Sequence, residues 1–147
     1  MKVAVIGSRG LSVSDLGRYL PENTTEIVSG GAKGVDTSAR EYALAHGIKL
    51  TEFMPEYTRF GRSAPLKRNI TIIEYSDIVI AFWDGKSRGT KFVIDNCRKL
   101  GVEVRIVKAL LCADITVTAR KYVGHEDDTG YHHYAVDTAK NYEMEDI

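Results

Sequence analysis

The sequence predicts an α/β fold, a doubly wound parallel sheet of about five strands with flanking helices. Three observations carry this reading. Short β-branched segments alternate with amphipathic ones along the chain. Glycines recur where a strand would hand over to a helix. The 147 residues are the length of one domain, able to bury roughly two thirds of its unfolded surface without disulfides or metal.

The expected strands are 2–7, 26–29, 48–53, 77–82 and 102–107, with helices at 14–20, 35–46, 65–75 and 90–100. Val35, Ala39, Tyr42, Ala43 and His46 share one face of the second helix, and Gly47 stops it. Pro65 suits the first position of the third, with Leu66, Ile70 and Ile73 inward. The fourth gathers Phe92, Val93, Cys97 and Leu100 before Gly101. This body, residues 1–108, is followed by an acidic extension, 109–147, within the same domain. There Ile115-Thr116-Val117-Thr118 and residues 131–136 alternate around turn-forming residues 125–130, which predicts a C-terminal β-hairpin.

The formal net charge is zero, but it is divided: residues 1–108 carry 17 − 12 = +5 and residues 109–147 carry 3 − 8 = −5. The apolar run 78–83 is far shorter than the ~20 residues that span a bilayer, and 3–6 is too short for a signal peptide. A cytoplasmic protein is expected. Cys97 and Cys112 lack zinc spacing, and Cys97 reads as a small core residue. His125, His132 and His133 with Glu126, Asp127 and Asp128 form the one conceivable metal cluster. They show no defined ligand spacing, so no metal is expected.

Four polar or glycine-bearing loops fall at expected strand ends: Gly7-Ser8-Arg9-Gly10, Ser29 to Asp36 (SGGAKGVD), Gly61-Arg62-Ser63-Ala64 and Asp84 to Thr90 (DGKSRGT). In open parallel sheets this edge is where ligands bind. Helix starts expose unpaired N–H groups and partial positive charge. Arg9, Lys33, Lys67, Arg68, Lys86, Arg88 and Lys91 lie at or near such starts, where a cation is electrostatically misplaced unless an anion joins it. The expectation is a phosphate-bearing ligand cradled by the amides of residues 30–34 and of Gly89 and Thr90. GxxxxGK[ST] and GxGxxG are both absent, which disfavours a Mg-dependent NTPase and ordinary NAD dehydrogenase chemistry. Tyr57, Phe60, Phe82 and Trp83 lie in or beside these loops, and Trp83 is the best placed to stack on a base, with packing the competing role.

Gly7-Ser8-Arg9, the string from Ser29 to Asp36, the Arg68-Asn69 pair, and Ser76-Asp77 running through Phe82-Trp83 to Gly89-Thr90 together resemble the SLOG superfamily of Rossmann-like proteins. That group includes the DNA-processing protein of natural transformation and the "lonely guy" phosphoribohydrolases. The likeness is greatest to its small stand-alone bacterial members and covers roughly residues 1–107. It implies binding of a nucleotide or nucleotide derivative, as in a sensor, by Gly7, Ser8, Arg9, Gly30, Gly31, Gly34, Asp36, Arg68, Asn69, Gly89 and Thr90. The loop chemistry adds Ser29, Lys33, Trp83, Gly85 and Ser87 to the expected ligand-binding residues. Two alternatives stay open: a hydrolase of an N-glycosidic or phosphate bond, and single-stranded DNA binding as in the DNA-processing branch.

The phosphoribohydrolase signature GGxGTxxE carries a catalytic glutamate, and this chain has Val93 in its place. Asp36, Asp84 or Asp95 could supply the carboxylate instead; Asp36 is the candidate singled out, against a competing role in capping or ribose contact. No cofactor is required on this reading. The resemblance also implies a homodimer or higher homo-oligomer.

Overall fold

In Lys2–Gly7 (β1), Val3 and Val5 face one side of the sheet and Ala4 and Ile6 the other, and all four are buried. A strand covered on both faces is the mark of a central strand in a parallel α/β sheet. The computed structural model describes residues 1–110, 115–122, 134–138 and 143–144, with side chains described for 1–108. The further elements are β2 (Leu11–Ser12), β3 (Glu26–Ser29), α1 (Val35–His46), β4 (Lys49–Glu52), α2 (Tyr57–Phe60), α3 (Ala64–Tyr75), β5 (Ile78–Trp83), α4 (Arg88–Leu100), β6 (Glu103–Leu110), β7 (Ile115–Tyr122), β8 (Tyr134–Thr138) and β9 (Glu143–Met144).

The main sheet has the order β4-β3-β1-β5-β6, all parallel, with β9 antiparallel on the β6 edge. The chain therefore runs outward from β1 in one direction, then returns to its other side. On one face α1 covers Val3, Val5, Ile27, Ile78, Ile80 and Phe82 with Val35, Ala39 and Ala43. On the other, α3 and α4 cover Ala4, Ile6, Val28, Val79 and Ala81 with Ile72, Ile73, Val93, Ile94 and Cys97. Burial pushes the Cys97 thiol up to about 12, so it is an inert core group. β7 pairs antiparallel with β8, as at Val117↔Thr138, and parallel with β2. The expected hairpin turn, the His125 cluster and Cys112 lie outside the described residues.

Several expected elements change. Residues 14–20 form only one 3-10 turn, Leu16–Arg18. Seven residues are too few to nucleate a stable helix, and Gly17 sits at the middle, where a side chain would strike the Tyr42 hydroxyl. Leu16 and Tyr19 are nonetheless buried. The 61–64 loop is helical, with α2 and a 3-10 turn at Gly61–Ser63 leading into α3. Leu66 and Leu100, expected inward, are 43% and 47% exposed, because Ile72 and Ile94 hold the inward positions instead. His46 is exposed and stacks on Tyr42, with ring centroids 3.9 Å apart.

Candidate functional site

The sheet register brings the loops together. Gly7 pairs with Phe82, so β1 and β5 end level. Ser8 N–H donates to the Phe82 carbonyl at 3.0 Å, and the Ser8 hydroxyl accepts from Asp84 N–H at 3.2 Å. A Cβ on Gly7 would lie 2.6 Å from both the Phe82 carbonyl oxygen and Val35 Cγ2, so glycine lets β1, β5 and α1 meet at the point where the strand order reverses.

The loop after β3 closes against the same point. Gly34 precedes α1 with φ 78° and ψ −120°, a conformation that side chains oppose. A Cβ there would stand 2.5 Å from the Arg9 carbonyl oxygen. Two loops from different strands thus touch backbone to backbone. Asp36, 7% exposed in the first turn of α1, accepts from Ala32 N–H at 3.0 Å and braces the loop from within. Burial pushes its carboxyl above the ordinary range, against the pull of the Ala32 and Gly30 N–H groups and of Arg68.

Arg68 reaches across from α3. Its Nη1 donates to the Gly30 carbonyl at 2.6 Å and to the Phe53 carbonyl at 3.4 Å, and its Nε donates to Asn69 Oδ1 at 2.9 Å. Burial lowers its pKa, Asp36 and Tyr57 raise it, and the like charge of Arg9 lowers it again. Arg9 and Arg68 therefore sense each other electrostatically within one hollow, and an anion between them would relieve that repulsion.

The loop after β5 is built on its own hydrogen bonds. Asp84 Oδ1 accepts from Lys86 N–H at 2.8 Å and Ser87 N–H at 2.7 Å. Burial raises the Asp84 pKa, but these bonds and the Ser8 hydroxyl outweigh it and hold the group below the ordinary carboxylate range. Ser87 caps α4 by accepting from Thr90 N–H at 3.4 Å. Trp83 Nε1 donates to the Ser87 carbonyl at 3.0 Å, so the indole props the loop from outside.

Between these loops lies a cleft of about 450 Å³. The structure brings ten of the expected ligand-binding residues to its wall: Gly7, Ser8, Arg9, Gly30, Asp36, Arg68, Asn69, Ser87, Gly89 and Thr90. Six stand outside its lining. Ser29 is buried at the end of β3, Gly31 faces Met54 and Glu52, and Gly34 faces Arg9. Lys33 points to solvent, Gly85 lies beside Lys108, and Trp83 is occupied as described. Of the other cations at helix starts, Lys91 pairs with Asp95 at 2.8 Å, which removes it from the expected set of misplaced charges. Lys86 and Arg88 are exposed beyond the cleft.

The wall also holds Ile6, Pro65, Leu66 and Ile72, which sequence reasoning did not place there. The signal for Leu66 was available: a leucine one position from Lys67-Arg68 in a first turn can face a ligand as readily as a core. Val93 also lines the cleft, where the hydrolase signature would place a glutamate.

In open α/β sheets a polar cleft at the point where the strand order reverses is the place where ligands bind. Residues 1–56 match the family model described as DNA recombination-mediator protein A. That match covers α1 and the first three strands of the main sheet, β1, β3 and β4, up to residue 56 of 147. It is similar to a solved structure of DNA processing protein A from Helicobacter pylori, a protein with a single-stranded DNA binding mode, at 26% identity and a TM-score of 0.57. The likeness covers 72% of this chain and 64% of that one, less than two thirds of its length. No curated protein matches. Among the described residues no helix is long and apolar enough to cross a membrane.

Proposed function

We propose that this chain binds single-stranded nucleic acid by seating one phosphate-bearing nucleotide in the cleft. The observation that carries the proposal is the joint presence of Arg9 and Arg68 on the cleft wall, at the carboxyl edge of the sheet where β1 and β5 end. The likeness to a protein that binds single-stranded DNA supports it. So does the size of the hollow, which suits one nucleotide unit and is too small for a duplex. Arg68 is held in place by backbone carbonyls, so little ordering is left for binding to supply.

A free nucleotide derivative is the second reading. It is favoured by the zero net charge, which gives no long-range attraction for a polyanionic strand. We assign no reaction. The cleft carboxylates Asp36 and Asp84 both accept backbone hydrogen bonds, and Val93 offers no acid or base.

Fluorescence anisotropy of a labelled oligothymidylate at low salt, with wild type and Arg9→Ala, tests the first reading. Saturable binding that weakens about tenfold in the variant is expected, the scale of one charge-assisted contact. Absence of saturable oligonucleotide binding, with thymidine monophosphate still bound, would transfer the site to the second reading.

A further inference from the structure

A second hollow of about 360 Å³ shares Arg68 with the cleft. Phe53, Met54, Phe60, Lys67, Arg68 and Thr71 are among its walls. Its charge is one-sided: Arg59, Lys67 and Arg68 face one carboxylate, Glu56, giving 3 − 1 = +2. Two of the three cations already sit on an aromatic ring, Arg59 at 4.9 Å and Lys67 at 5.7 Å from the Phe60 centroid. Phe60 belongs to neither buried cluster, and Met54 and Tyr57 close by are each 59% exposed. A chain that leaves a methionine and two aromatic rings at a surface, with cations around them, has built a platform that suits a flat ring carrying a phosphate.

Arg68 is common to both hollows, so a strand leaving the first has a continuous cationic path into the second. We infer that this groove is the seat of the adjacent nucleotide of the same single strand, its base on Phe60 and its phosphate between Lys67 and Arg68. The inference rests on the nucleic-acid reading of the cleft and extends it to a second, base-stacking position. The apolar wall chooses a base over a bare anion, and the cations choose a nucleic acid strand over an apolar peptide.

The full chain is mixed with oligothymidylate about a dozen nucleotides long, with 5-iodouracil substituted at each position in turn, and irradiated. Adducts on Phe60 or its immediate neighbours are expected from one position. Phe60→Leu and Lys67→Gln are each expected to weaken the oligonucleotide about fivefold to tenfold, the lower end of base–aromatic stacking. Both should leave thymidine monophosphate unaffected. Saturable oligonucleotide binding with adducts confined to other segments, or unchanged affinity in both variants, would overturn the second seat and leave the first standing. Failure of oligonucleotide binding altogether would overturn both. Circular dichroism of each variant separates lost binding from lost structure.

Discussion

Gly34 and Gly89 both stand at helix starts, and their physics is opposite. Gly34 is confined by its positive φ and by the Arg9 backbone. Gly34→Ala is expected to cost about 1–3 kcal/mol from backbone strain alone, read as a lower urea midpoint. Gly89 has nothing within 4 Å of where a Cβ would stand, yet it lies on the cleft wall. Gly89→Ala should leave stability unchanged or raise it by up to about 1 kcal/mol, while crowding a phosphate and weakening the oligonucleotide. An alanine there that binds as well as glycine would place the phosphate elsewhere. Asp36 works against an anion, since a carboxylate on the same wall repels it. Its folded pKa is raised, so its stabilising contribution is full below the ordinary carboxylate range and is lost as pH rises through the raised value. Ligand binding should follow the same direction, strengthening as pH falls and Asp36 takes up a proton. Asp36→Asn keeps an acceptor for Ala32 N–H, so tighter binding at neutral pH and a flatter pH profile are expected in anisotropy titrations.

At the level of elements, α4 is the one that presents Gly89 and Thr90 to the cleft, and its start is fixed by a single side chain. Ser87→Ala removes the cap and the contact with the Thr90 hydroxyl, 3.2 Å away. The expected loss is about 1 kcal/mol of stability, measurable by chemical denaturation, with a smaller fall in oligonucleotide affinity as the turn frays. The ends of α1 and α4 were readable from the sequence because glycines punctuate them: Gly47 and Gly101 both adopt left-handed turns that release the helix. β1 and β5 were readable within one residue because burial on both faces leaves unbroken apolar runs, whereas two-residue β2 showed no such run. What failed was short or two-faced. Residues 14–20 carry apolar spacing, but tertiary contact with α1 decides their path. The four residues of α2 are too few to display a period. Most of the ten expected residues on the cleft wall lie at a strand end or in the first turn of the helix that follows, where topology predicts convergence, whereas Arg68 and Asn69 lie one turn into α3. Trp83 stands outside the cleft lining because the direction of a side chain at a strand's last residue depends on the hydrogen bond its loop offers, which the sequence does not display.

Across the whole molecule the charges cancel, with +5 on residues 1–108 against −5 on 109–147, so attraction for a nucleic acid strand must be local. A neutral protein gains no steering beyond a Debye length, about 8 Å at physiological salt. Whatever affinity exists must come from the few cations that the fold sets along one path, Arg9 and Arg68 in the cleft and Lys67 and Arg59 in the groove beside it. Each phosphate neutralised on a single strand contributes a slope of roughly −0.7 to the dependence of log affinity on log salt. Two to four such contacts give an expected slope of about −1.5 to −3, measured by repeating the anisotropy titration across a salt series. Arg9→Ala should make that slope shallower by about 0.7, one phosphate's share. A slope steeper than about −5 would mean that the basic body as a whole embraces the strand. A slope near zero, with the monophosphate competing as well as the oligonucleotide, would mean that the cleft holds a free nucleotide and no strand passes beyond Arg68.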